Sequence, residues 1–264
     1  MKKPRKKSTV TVALTETPPR DRGLGITVVM RAPSDPGYFR MTARSLPALG
    51  DPIVEKVLVG AAPALVEEAT QGGWTCLPST GPGLYRDAAT GVGASVSSHL
   101  LLLAPGVQLR ALALEILWSH RDYPLVAPLV LGTNRRVMHA GGGFEAQTFA
   151  PVHLDRARPM VRVVSPEVRY CNWTALSAVL IARPLWDDLD GLHSDGDDSG
   201  GFLDFTLRAS ERGRHPMIVL DALVIQGVGL VPRPDRFAAR WLHTGRLAHL
   251  LGLVTEPERC ASTA

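Results

Sequence analysis

Short apolar runs alternate with amphipathic stretches along most of this chain, and the alternation predicts its elements. Residues 26–30, Ile-Thr-Val-Val-Met, form a β-branched run closed by Pro33 and Pro36, which predicts a first strand. Residues 38–49 carry Phe39, Ala43 and Leu46 at helical spacing. A second strand is predicted over 54–59, a helix over 64–70 closed by Gly72-Gly73, a short strand over 74–77 and a helix over 84–92. His99-Leu100-Leu101-Leu102-Leu103 reads as a strand buried on both faces. Strands and helices taking turns in this way imply right-handed βαβ units on a mostly parallel sheet with helices on both faces.

Further along, the pattern predicts a helix over 109–117 and a strand over 125–131, whose Pro128 points to an edge or a bulge. Residues 173–182 are small and apolar and predict a buried strand. A short helix follows from Pro184, and another runs over 203–212 to Gly213. Strand-like runs at 217–220 and 223–225 precede a helix over 237–251. The expected organisation is a basic tail over 1–22 (with a β-prone run at 9–14), an α/β domain over 23–232 and a C-terminal helical extension over 233–264.

Composition narrows the function classes. The net charge is +4, yet Lys2, Lys3, Arg5, Lys6 and Lys7 alone contribute five positive charges, so the remaining body is near neutral. Three scattered cysteines, Cys76, Cys171 and Cys260, lack metal-ligand spacing and suggest a reduced, cytoplasmic setting. No apolar run approaches the roughly 20 residues that span a bilayer, and no apolar segment follows the basic start as a secretory signal requires. No phosphate-loop, nucleophile-elbow, zinc or nucleic-acid module occurs.

His139-Ala140-Gly141-Gly142-Gly143-Phe144, followed by the apolar run at 173–182 and by Asp204-Phe205-Thr206-Leu207-Arg208, resembles the family 2 glycosyltransferases. The resemblance covers about residues 26–225 and implies a GT-A-like fold and a nucleotide-sugar donor. It also implies a Mg²⁺ or Mn²⁺ cofactor held by an acidic turn after the buried strand. Here that turn is Ala104-Pro105-Gly106, which offers no side-chain ligand, so the expectation is no metal at that turn. The second strand ends in Val59-Gly60-Ala61-Ala62, where the family carries a base-binding aspartate. Gly201 and Phe202 stand where the family's Glu and catalytic Asp would be; Asp204 and Arg208 are retained.

On that resemblance Arg86, His139, Gly141, Gly142, Gly143, His193 and Arg208 are candidate substrate-binding residues, and Asp197, Asp198 and Asp204 are candidates for the proton acceptor. Each has a plainer reading. Arg86 suits a surface ion pair, and the glycines suit a tight turn with His139 bonded locally. The loop Asp195-Gly196-Asp197-Asp198 has the composition of a solvated loop, although its acids could hold a cation. Asp204 reads as a helix-start carboxylate. Three functions remain open: sugar transfer from a nucleotide-sugar by a divergent, metal-independent site, a catalytically silent GT-A domain that binds a protein partner, and a nucleotide-binding enzyme with altered chemistry on the same scaffold.

Overall fold

The computed structural model describes residues 23–47, 52–81, 83–145, 151–160, 167–193 and 198–227. The tail over 1–22, the acids Asp195 and Asp197 and the helix expected over 237–251 lie outside the described residues. In chain order the elements are β1 (Gly23–Arg31), α1 (Pro36–Ala43), β2 (Ile53–Val59), α2 (Pro63–Gln71), β3 (Thr75–Leu77), α3 (Leu84–Ala94) and β4 (Ser97–Leu103). They continue with β5 (Val107–Leu109), α4 (Ala113–Ser119), β6 (Leu125–Gly132), β7 (Val137–His139), β8 (Gly142–Phe144) and β9 (Pro151–His153). The last are β10 (Val168–Tyr170), β11 (Ala178–Ala182), α5 (Arg183–Asp188), α6 (Asp198–Glu211) and β12 (Met217–Gln226).

The main sheet has the order β10-β12-β6-β11-β4-β1-β2-β3, with β5 beside β12 and β7 beside β6. β1 is parallel to both β2 and β4, and β6 is parallel to β12. β11 is antiparallel to both β4 and β6, so β1, β2, β3, β4, β6 and β12 all run the same way. The expected α/β architecture with a mostly parallel sheet is therefore present, and its arrangement is consistent with a GT-A-like fold.

Alternation along each strand splits the core in two. Val28 and Met30 face a cluster with Phe39, Leu65, Leu114 and Leu117, which places α1, α2 and α4 on one side. Val29, Leu100 and Leu102 face Ala88, Val92, Trp186 and Phe205, which places α3, α5 and α6 on the other. Strands buried on both faces are apolar along most of their length, which is why residues 100–103 of β4 and the whole of β6 read as apolar runs. Gly91 lets α3 approach closely: a Cβ there would sit 2.5 Å from Val29 Cγ1.

Four expectations change. The stretch expected as one helix over 109–117 begins as strand β5, because Val107, Gln108 and Leu109 add to the edge of β12; the helix itself starts only at Ala113. Pro128 is not in an edge strand: β6 is central, and the irregularity lies in β12, whose register slips between Val219 and Leu223 opposite Pro128. The strand expected over 173–182 is confined to Ala178–Ala182, since the backbone before it bonds to the glycine segment instead. Helix α6 starts at Asp198, so Asp204 lies inside the helix and cannot cap its beginning.

Arg183 ties α3 to α5. Its guanidinium is buried and donates to the carbonyl oxygens of Val92 (3.0 Å) and Ser95 (3.1 Å) and to Ser95 Oγ. These carbonyls end α3, where Ser95 N–H and Oγ also donate to the Val92 carbonyl and the helix dipole favours a cation. Replacing Arg183 with Leu should lower stability by about 2–3 kcal/mol, the worth of hydrogen bonds to a charged group. In thermal denaturation that corresponds to a fall of roughly 4–12 °C at this chain length.

Candidate functional site

The strand order reverses at β1: β2 and β3 lie to one side of it and β4 to the other. In open α/β sheets the crevice outside the carboxyl ends of such strands is where ligands bind. Here a small crevice opens there, walled by Val29, Leu84, Leu102, Leu103, Leu176 and Leu192, with Arg31 as its charged residue. Arg31 ends β1. Its Nε lies 3.1 Å from Asp87 Oδ2, and Ser79 Oγ donates to Asp87 Oδ1 at 2.6 Å. The carboxylate is 3% exposed and the arginine side chain 37%, so the acid anchors a cation whose end still reaches the mouth of the crevice. A charged residue closing an apolar strand was the legible signal for Arg31. Asp87 and Ser79 carried no comparable signal, because only the fold brings them to β1.

Of the expected residues, Arg86 lies one position from Asp87 but points outward. Its Nε donates to Tyr85 Oη at 2.6 Å and the guanidinium stands 5.5 Å from the Tyr85 ring centre. The turn Ala104-Pro105-Gly106 is bonded into the protein: Gly106 N–H donates to Thr42 Oγ1 (2.9 Å) and Ala104 N–H to the Ser177 carbonyl (2.8 Å). Among the described residues no three His, Cys, Asp or Glu side chains converge as a metal centre requires. At the end of β2, Gly60 takes φ +78° and donates to the Leu77 carbonyl.

The glycine segment forms its own buried block. His139 is 3% exposed. Ala175 N–H donates to His139 Nε2 at 3.0 Å and the Thr174 hydroxyl lies 3.1 Å from the same atom. Nε2 is thus an acceptor, so the proton sits on Nδ1, which donates to His153 Nδ1 at 2.8 Å. Trp173 packs against both rings, with centroids 5.3 and 5.0 Å away, and its Nε1 donates to the Gly143 carbonyl at 2.9 Å. A Cβ on Gly142 would stand 2.0 Å from Trp173 Cε2, so only glycine fits. Gly141, at φ +98°, turns the chain between β7 and β8. His139 and Gly141–Gly143 are thereby engaged with one another's surroundings.

Asp204, Arg208 and His193 do come together. Arg208 Nε donates to Asp204 Oδ2 at 2.6 Å, one helical turn apart. The same guanidinium donates to the carbonyl oxygens of Leu189 and Gly191, just beyond α5. His193 Nδ1 lies 3.7 Å from Asp204 Oδ2. This is a clamp on the α5–α6 connection. Asp198 opens α6, Asp197 lies outside the described residues, and Phe202 stacks on Phe205 in the core at 1% exposure. No hydrogen bond or ion pair among the described residues joins Arg86, His139 and the Asp204 clamp.

Two outcomes follow from this geometry. Burial, and secondarily the facing His153, hold the His139 pKa well below its ordinary 6.5. The unfolded chain therefore takes up a proton here, below about pH 6.5, that the folded protein resists. Stability from this group is complete above that pH and is lost as the pH falls below it, by up to about 1.4 kcal/mol per pH unit. Denaturation midpoints measured from pH 7.5 downward should show this slope, and His139→Gln should remove it. Asp204→Asn should cost about 3–5 kcal/mol, because it strips the counter-charge from a buried arginine; urea unfolding measures it.

Comparison with models of known protein families returns no match, and no curated protein matches the chain.

Proposed function

We propose that the chain is a glycosyltransferase-like protein of the cytoplasm that takes a nucleotide-sugar over the carboxyl ends of β1 and β4, beside Arg31, and transfers its sugar without a metal at the Ala104 turn. The observation that carries this reading is the sheet order, in which antiparallel β11 separates β4 from β6 and the strand reversal at β1 opens the crevice. The motif order in the sequence, from the apolar strand through His139-Ala140-Gly141 to Asp204 and Arg208, supports it. Arg31, anchored by Asp87, supplies the positive charge that a donor diphosphate requires. The acceptor hydroxyl would give its proton to Asp197 or Asp198 as its oxygen bonds to the anomeric carbon, and the bond from that carbon to the diphosphate oxygen breaks.

Phe202 favours a second reading. The position that resembles the family's catalytic acid is filled by an aromatic ring buried in the core. On this reading the domain is catalytically silent and serves a protein partner. Calorimetric titration with nucleoside diphosphates and nucleotide sugars, with and without Mn²⁺, tests the common ground: binding is expected and Mn²⁺ should not change it. Absence of any such binding overturns the transferase reading. With binding established, Asp197→Asn with Asp198→Asn should reduce turnover by about 10²–10⁴-fold if one of them is the base. The silent domain instead shows no turnover alone.

A further inference from the structure

Two neighbouring turns beyond the carboxyl end of β6, three strands from β1 in the sheet order, concentrate positive charge. The β6–β7 hairpin carries Arg135 and Arg136, and the turn after β9 carries Arg156 and Arg158; all four are exposed. Backbone bonds hold the turns together: Val137 N–H donates to the Arg158 carbonyl (3.0 Å), Ala157 N–H to the Val137 carbonyl (2.8 Å), and Arg136 pairs with Pro159. Arg136 Nη1 also donates to the Ala157 carbonyl at 2.8 Å. The four arginines thus share one rigid face, and both turns are tight enough to force left-handed backbone at Arg135 (φ 60°), Asp155 (φ 55°) and Ala157 (φ 64°).

Asp155 is the one acid in these turns, and it is spent internally, 2.8 Å from Arg158 and 2.7 Å from Arg169. Arg135 and Arg156 have no hydrogen-bond or ion-pair partner among the described residues. Val152 on β9, adjoining the same turn, leaves an apolar side chain 37% exposed.

We infer that this arginine face docks the protein on an anionic phospholipid surface. Clusters of four or more Lys and Arg on one surface attract anionic headgroups, each residue adding to affinity. An exposed apolar side chain beside such a cluster suits the headgroup–acyl boundary. The two turns carry no aromatic side chain on which bases could stack, and no free helix to enter a groove, which disfavours nucleic acid. Lys2, Lys3, Arg5, Lys6 and Lys7 are a second basic segment in the sequence, and stable peripheral attachment takes two signals.

The test is sedimentation of the full chain with phosphatidylglycerol-rich and with pure phosphatidylcholine vesicles. Binding is expected on the first only. To isolate the face from the tail, the comparison is repeated with the five tail cations changed to Gln. In that background Arg135→Glu with Arg156→Glu should weaken partitioning at least about 30-fold, the product of two basic residues near an anionic surface. These side chains hold nothing in the fold, so the unfolding midpoint should stay unchanged. Equal partitioning of the double variant and its tail-neutralised parent overturns the inference. So does equal binding to neutral vesicles, or release by inorganic phosphate beyond that by chloride at matched ionic strength, which would mark a discrete phosphate site.

Discussion

Buried cations at the ends of helices hold the connections of this fold. A helix leaves its last carbonyl groups without partners and its C-terminus partly negative. Three times this chain answers with a cation from elsewhere. Lys56, on β2, reaches the Gly72 carbonyl after α2 at 2.8 Å and stands 5.6 Å from the Trp74 ring centre. Arg183 does the same after α3, and Arg208 after α5. Removing charge from water is costly, and at Lys56 burial accordingly pulls the amine pKa below its ordinary value. The gain is geometric: each cation ties a helix end to a different element, and α3, held in this way, supplies Leu84 and Ala88 to the wall of the crevice.

The second support is the aromatic and histidine block around Trp173. Its ring fills the space over Gly142, its carbonyl accepts from Gly142 N–H at 2.8 Å, and it belongs to a cluster with Phe144, Ala175, Leu203 and Leu207. The block therefore glues the β8–β9 hairpin to α6. His139 supplies the polar link, accepting from the backbone on one side and donating to His153 on the other. Such a chain works only with neutral rings, so burial and hydrogen bonding act in the same direction on the protonation state.

Packing has taken up several positions along this frame. Gly106 takes φ +81° and bonds to α1, and Phe202 stacks on Phe205. Asp204 is committed to Arg208. What stays open at the carboxyl ends of the strands is Arg31, held by Asp87 from α3. The site thus depends on a long-range ion pair rather than on a contiguous motif.

Much of the fold was readable along the chain. Runs of mostly apolar residues marked β1, β2, β4 and β6, because a strand buried on both faces admits few polar side chains; helical spacing marked α2 and α3, and Gly72 marked the end of α2. Local pattern marked the glycine segment as either a tight turn or a place where backbone approaches a ligand. It did not reveal Trp173, which lies about thirty residues away in sequence. Strand β5 and the length of α6 were likewise invisible, since pairing with β12 and packing on the sheet override weak local preference, whereas Pro128 did signal an irregularity, which falls in the facing strand β12. The sequence by itself determined the alternation of elements and which strands are buried. Tertiary structure decided the partners: Asp87 for Arg31, His153 for His139, and the helix ends for Lys56, Arg183 and Arg208. The reason is that hydrogen bonds and ion pairs are chosen by proximity in space, which one-dimensional periodicity does not carry.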